Sequence, residues 1–88
     1  MRIDKFLKVS RIIKRRTLAK EVCDGGRIQV NGRPAKAGTE IKVGDRVVIQ
    51  FPRKRLEIEI KAVKDSARVE EAPTLYEVLQ EEFTSETE

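Results

Sequence analysis

Apolar positions along the chain change period twice, and each change marks a new kind of element. Ile3, Phe6 and Leu7, with Val9 or Ser10, recur at helical spacing, and Asp4 near the start complements the positive end of a helix dipole, so a short first helix is predicted. Ile12 and Ile13 mark a connection, after which Leu18, Ala19, Val22 and Cys23 give a stripe that one face of a second helix would bury. Gly25-Gly26 stops that helix, because glycine takes the left-handed position beyond a helix end without a Cβ penalty. From Arg27 the period becomes two. Ile28 and Val30 point one way, Arg27 and Gln29 the other, and Asn31-Gly32 is a tight-turn signal for a hairpin. Pro34 interrupts the return strand and residues 36–39 read as a loop. Ile41, Val43, Val47, Ile49 and Phe51 then alternate around a turn at Gly44-Asp45. After a further turn at residues 52–55, Leu56, Ile58, Ile60 and Ala62 alternate with Glu57, Glu59 and Lys61, which completes a small antiparallel sheet with one buried face. Residues 64–72 lack a period and read as a linker. Pro73 suits a first helical position, and Leu75, Tyr76, Val78, Leu79 and Phe83 line one side of an acidic, amphipathic helix over 73–83, with 84–88 a frayed tail. The expected fold class is therefore α+β, with two N-terminal helices packed on a small antiparallel sheet over residues 1–63 and a C-terminal helix.

Charge changes this picture more than composition does. Sixteen of the nineteen Lys and Arg residues fall within residues 1–55 against five carboxylates there, a formal +11, whereas residues 56–88 hold three bases and ten acids, a formal −7. The overall +4 is a cancellation between unlike halves, and a basic part of this density points to a polyanionic partner, nucleic acid first. With 88 residues and 39% apolar content there is room for one domain with a small core, roughly 60 to 65% of the unfolded surface being removable from water. The single Cys23 forms no internal disulfide, and with no His in the chain the Cys/His zinc spacings are absent, so neither metal nor cofactor is expected. No apolar run approaches the roughly 18 residues of a membrane span or forms a signal peptide. A cytoplasmic protein is expected.

Lys5, Lys8, Arg11, Lys14, Arg15, Arg16 and Lys20 come at spacings of three to five on the two helices, which the apolar stripe forces outward; a packed helix pair would pool these charges into one surface that attracts phosphates. Arginine suits this because its planar fork binds two phosphate oxygens or stacks on an unpaired base. A DNA-reading helix-turn-helix is disfavoured, since no tight glycine turn joins the helices and the second carries few residues for reading base edges. Four aromatic residues, Phe6, Phe51, Tyr76 and Phe83, are few for a single-strand stacking platform. Structured RNA recognised by shape and backbone fits better.

Residues Arg2 to Leu7, Arg15-Arg16 followed by Ala19, Gly25 to Gly32, Lys36, and Val43-Gly44-Asp45 occur in the order and spacing of the S-four (alpha-L) RNA-binding domain, over about residues 1–51. Within that family the stretches Met1 to Arg11 and Lys14 to Val22 resemble the RqcP proteins of Gram-positive bacteria. They are more distantly similar to the heat-shock ribosome-associated protein of proteobacteria, whose C-terminal extension is longer and basic. The resemblance implies a non-enzymatic factor that binds the obstructed large (50S) ribosomal subunit, contacting large-subunit rRNA and peptidyl-tRNA. It also implies support for alanine tailing of the stalled chain by a partner, RqcH. A monomer off the ribosome is expected. The resemblance places Arg2 at the start of the first helix and Arg15 and Arg16 at the start of the second as phosphate ligands, with Lys5, Lys8, Arg11, Lys14, Lys20 and Arg27 in support. Asp4 is expected to cap the helix or orient neighbouring arginines, and Cys23 to be a core residue. Two other readings remain at this stage: a protein adaptor docking a basic partner through the acidic helix, and an accessory RNA-binding subunit of an RNA-modifying enzyme.

Overall fold

A computed structural model describes residues 1–83. Two helices, α1 (Ile3–Val9) and α2 (Arg16–Asp24), precede strands β1 (Ile28–Val30), β2 (Arg33–Pro34), β3 (Arg46–Gln50), β4 (Lys54–Ile60) and β5 (Tyr76–Phe83), with a 3-10 turn at Ala72–Leu75. The strands form one antiparallel sheet in the order β2-β1-β3-β4-β5.

The helices bury part of what their spacing predicted. Ile3, Phe6, Leu7, Ala19 and Cys23 are fully buried and meet Ile28, Val47, Ile49, Ile58 and Ile60 from the sheet. Each large aliphatic or aromatic chain so placed contributes roughly 1.5 to 3 kcal/mol relative to exposure. Leu18 departs from the expected stripe: it lies half exposed at the start of α2, and only Ala19 and Cys23 of that helix are buried. Gly26 takes the expected left-handed conformation beyond α2.

Asn31 and Gly32 both have positive φ, 53° and 83°, joining the paired residues Val30 and Arg33, which is the two-residue hairpin turn whose twist matches the strands. Asn31 also clamps a second turn. Its amide nitrogen donates to Asp45 Oδ1 at 3.1 Å, and its Oδ1 accepts from the Arg46 backbone N–H at 3.0 Å. Asp45 is buried and further accepts from the Lys42 N–H and ammonium at 2.9 and 3.1 Å. Burial pushes its carboxyl up, but the Asn31 and Lys42 hydrogen bonds outweigh that and hold it below the ordinary aspartate value. A lowered folded pKa contributes stability that is present above the ordinary aspartate range and lost as pH falls below it. Asn31→Ala removes two hydrogen bonds and forces alanine into a left-handed backbone, so a loss of about 2 kcal/mol is expected. Thermal melts across the acid range check both points: the variant should melt lower at neutral pH and lose less of its stability below about pH 4.

Two expectations about the sheet are corrected. Residues 41–45 do not form a strand: Ile41 is buried but Val43 is exposed, and β3 begins only at Arg46. The larger correction concerns the C-terminus. Residues 76–83 form a strand, not a helix, and pair with β4 from Ile60↔Tyr76 to Lys54↔Phe83. The register shifts between Glu57 and Ile58, where Ile58 faces Val78 and Glu57 faces Gln80, leaving Leu79 as the extra residue of a bulge. The bulge breaks the two-residue alternation, so the apolar positions 75, 76, 78, 79 and 83 mimic a helical stripe. Leu75 is buried, but Val78, Leu79 and Phe83 are exposed and do not form the packed face expected of them. The expected frayed tail at 84–88 lies outside the described residues.

Candidate nucleic-acid interface

The start of α1 is held by the loop between β2 and β3. Ile3 N–H donates to Thr39 O at 2.8 Å, Asp4 N–H to Ala37 O at 3.2 Å, and Ile41 N–H to Met1 O at 2.8 Å, so the amides there are already occupied. The loop is itself tied to the end of α2, where Asp24 Oδ1 accepts from the Ala37 N–H at 2.9 Å. The start of α2 differs: no side chain caps it, and its first residue is Arg16.

Asp4 is the pivot between the two helices. It is 2% exposed, and its two carboxylate oxygens accept separately from Arg2 Nη2 at 3.3 Å and Arg16 Nη2 at 3.5 Å. A buried carboxylate costs free energy unless compensated, and here the two guanidiniums compensate it. Both distances exceed the 2.7 to 2.9 Å of a tight charge-assisted bond. Both arginine side chains are 48% exposed, so they are aimed outward while remaining free to swing to a phosphate. Arg2 also lies over Gly38, where even a methyl group would sit 3.8 Å from its Cζ. Asp4 thus orients arginines, as the sequence suggested, without capping α1 through its side chain.

The structure does not gather the remaining basic residues in one place. Lys8 and Arg11 border a cleft closed on its other side by residues 65–67, and Lys5 meets Asp65 from the acidic half at 3.1 Å. Lys14, Arg15 and Lys20 are exposed and meet no carboxylate within ion-pair distance among the described residues. Arg27 lies apart. It follows the end of α2 and borders a cleft that runs back along that helix past Gly25, Val22 and Glu21 to Leu18.

Arg11 carries a further signal that composition could not give. Its φ is 62°, a left-handed conformation that costs a non-glycine residue roughly 1 to 2 kcal/mol. Arg11→Gly relieves that strain against a comparable entropic cost of glycine, so thermal stability should stay within about 1 kcal/mol of the parent while affinity for a duplex RNA falls. A melt and a binding titration on the same sample check it. Cys23, by contrast, is buried, and desolvation, with Asp4 and Asp24 nearby, pushes its thiol up to about 11. Glu57 and Glu59 lie on the sheet face away from the helices, Glu59 sharing Lys61 with Glu77. The sequence signals only a turn at residues 52–55 and gives no sign of the site there; Lys54 and Arg55 already belong to β4. The chemistry of that site appears only when β5 closes beside it.

Residues 1–47 match the S4 domain. The chain is 64% identical to the "RQC P-site tRNA stabilizing factor" of Halalkalibacterium halodurans over 88 residues, covering both chains in full. It is 51% identical to the protein of the same name from Bacillus subtilis over 86 residues, 98% of this chain and all of the relative. Among solved structures, Heat Shock Protein 15 of Vibrio cholerae, described as trimeric, superposes with a TM-score of 0.83 at 30% identity, over 89% of this chain and 80% of that one.

Proposed function

We propose, from the premise that this chain belongs to the S4 domain family and within it to the RQC P-site tRNA stabilizing factors, that it is an RNA-binding factor of ribosome-associated quality control. It holds peptidyl-tRNA against large-subunit rRNA on an obstructed 50S particle. The observation that carries this reading is the Arg2–Asp4–Arg16 cluster: a buried carboxylate presents two half-exposed guanidiniums from different helices beside the uncapped start of α2, a geometry fitted to a bent phosphate backbone. Arg11, Lys8, Lys14, Arg15 and Lys20 extend the surface, Lys5 shares its charge with Asp65, and Arg27 reaches RNA where the substrate follows the cleft along α2. Alanine tailing by RqcH is the process the factor supports, by positioning rather than by chemistry. Its single thiol is buried and held protonated, and its paired glutamates face away from the helices, which fits a role without a reaction step. Off the ribosome the factor is a cytoplasmic monomer. The adaptor reading loses its premise, since the acidic helix it needed is a strand.

Sedimentation of a cell lysate tests the proposal: the factor should migrate with 50S particles, and migration with a free protein complex would refute it. Binding to structured RNA should also weaken with salt. About six phosphate contacts give a log-log slope of roughly −4 to −5, and a slope near −1 would contradict the basic-face account.

A further inference from the structure

The β3–β4 turn and the end of β5 converge on a feature that the helix-pair surface does not use. Phe51 lies just past the end of β3, where its N–H donates to Lys54 O at 2.8 Å and its carbonyl accepts from Gln50 Nε2 at 3.1 Å, and Phe83 pairs with Lys54 across the sheet. The Lys54 ammonium lies 5.4 Å from the Phe51 ring centroid and 5.9 Å from that of Phe83, while Glu81 holds it at 3.0 Å. The two rings, with Pro52 and Arg53, line an open cavity of about 510 Å³. Phe83 is 73% exposed. A second groove shares Phe51 and Lys54 with it and runs past Leu56, Tyr76, Val78 and the Lys54-paired Glu81 to Ile12 and Arg11, so the aromatic site is continuous with Arg11 at the helix connection.

We propose that Phe51, Lys54 and Phe83 form a stacking platform for an unpaired nucleobase of the RNA that the helix pair holds. This rests on the reading of the helix pair as an RNA face. Phe83 is exposed and Phe51 partly buried; aromatic faces stack on any base once the Lys54 ammonium over them swings aside, and cationic side chains around them draw the adjoining phosphates. An apolar peptide fits less well, because it would have to cover the Lys54 ammonium and the exposed Arg53, whereas a nucleotide offers a π face to the rings and a phosphate to the cations. The route along the groove to Arg11 lets one strand engage both places.

Three RNAs test this: a blunt hairpin, the same hairpin with six single-stranded adenosines, and the same hairpin with six abasic residues carrying equal charge. The protein should bind the adenosine form about tenfold more tightly than the abasic form, in the range that one stacked base contributes. Phe83→Ala should abolish that preference without altering the melting temperature or blunt-hairpin affinity, and Phe83→Tyr should retain it. Equal binding of all three RNAs, or a preference that survives Phe83→Ala, overturns the platform and leaves the helix-pair reading standing. Binding to none of them overturns both.

Discussion

Arg2→Ala and Arg16→Ala are each expected to lower retention on the large ribosomal subunit about 10- to 100-fold, since a charge-assisted phosphate contact buried on binding contributes roughly 1.5 to 3 kcal/mol. The fold should barely notice either change. Each guanidinium is half exposed and makes a long contact to the buried Asp4, which keeps the other guanidinium when one is removed, so each single loss should cost no more than about 1 kcal/mol. The double variant is different. With both cations gone, Asp4 is a buried carboxylate without its two side-chain donors, and leaving such a group unsatisfied costs about 1 to 3 kcal/mol or more. Stability losses should therefore be small for the single variants and more than additive for the pair. Thermal melts and subunit pelleting on the three variants separate the roles. Single substitutions that unfold the protein would mean that these arginines are structural.

Removing β5, by truncation after Leu75, is expected to be the largest single blow to stability. It strips β4 of seven paired positions and leaves Leu56, Ile58 and Ile60 on a new open edge, a loss on the order of 3 to 6 kcal/mol from pairing and burial together. For a domain with roughly 5 to 15 kcal/mol in hand that is a large share, and the exposed edge invites association. Leu79→Ala and Val78→Ala, by contrast, should cost less than about 1 kcal/mol each, because both side chains are already well exposed. A packed amphipathic helix would lose 2 to 5 kcal/mol at such positions. Denaturant titration of the three variants distinguishes strand from helix. Whatever fraction of the truncated protein stays folded should bind blunt duplex RNA normally, since the helix pair is intact.

The N-terminal half was legible because each local signal agreed with its neighbours. Glycine after the second helical stripe, Asn-Gly between two alternating runs, and apolar residues at helical spacing all describe features that form within a few residues, so local chemistry decides them. The C-terminal element was not legible for a specific reason. One bulge at Leu79 shifts the alternation by one residue, and a strand whose period slips midway shows the same apolar spacing as a helix. Only pairing with β4, some twenty residues earlier in the chain, resolves the ambiguity. The candidate site divides the same way. The basic stripe could be read from spacing, and Asp4 as an orienting group from its position. Their convergence, the strained backbone of Arg11 and the aromatic notch at Phe51 and Phe83 depend on loop 35–41, the helix connection and the sheet edge, none of which has a periodic signature.

Crosslinking in cells, followed by sequencing of the attached RNA, tests the central claim most directly. If the helix pair holds peptidyl-tRNA against the large subunit, reads should concentrate on tRNA and on a confined region of large-subunit rRNA, and should fall sharply in the Arg16→Ala variant. Reads spread over messenger or small-subunit RNA, or a tRNA and rRNA signal that Arg16→Ala leaves unchanged, would contradict it.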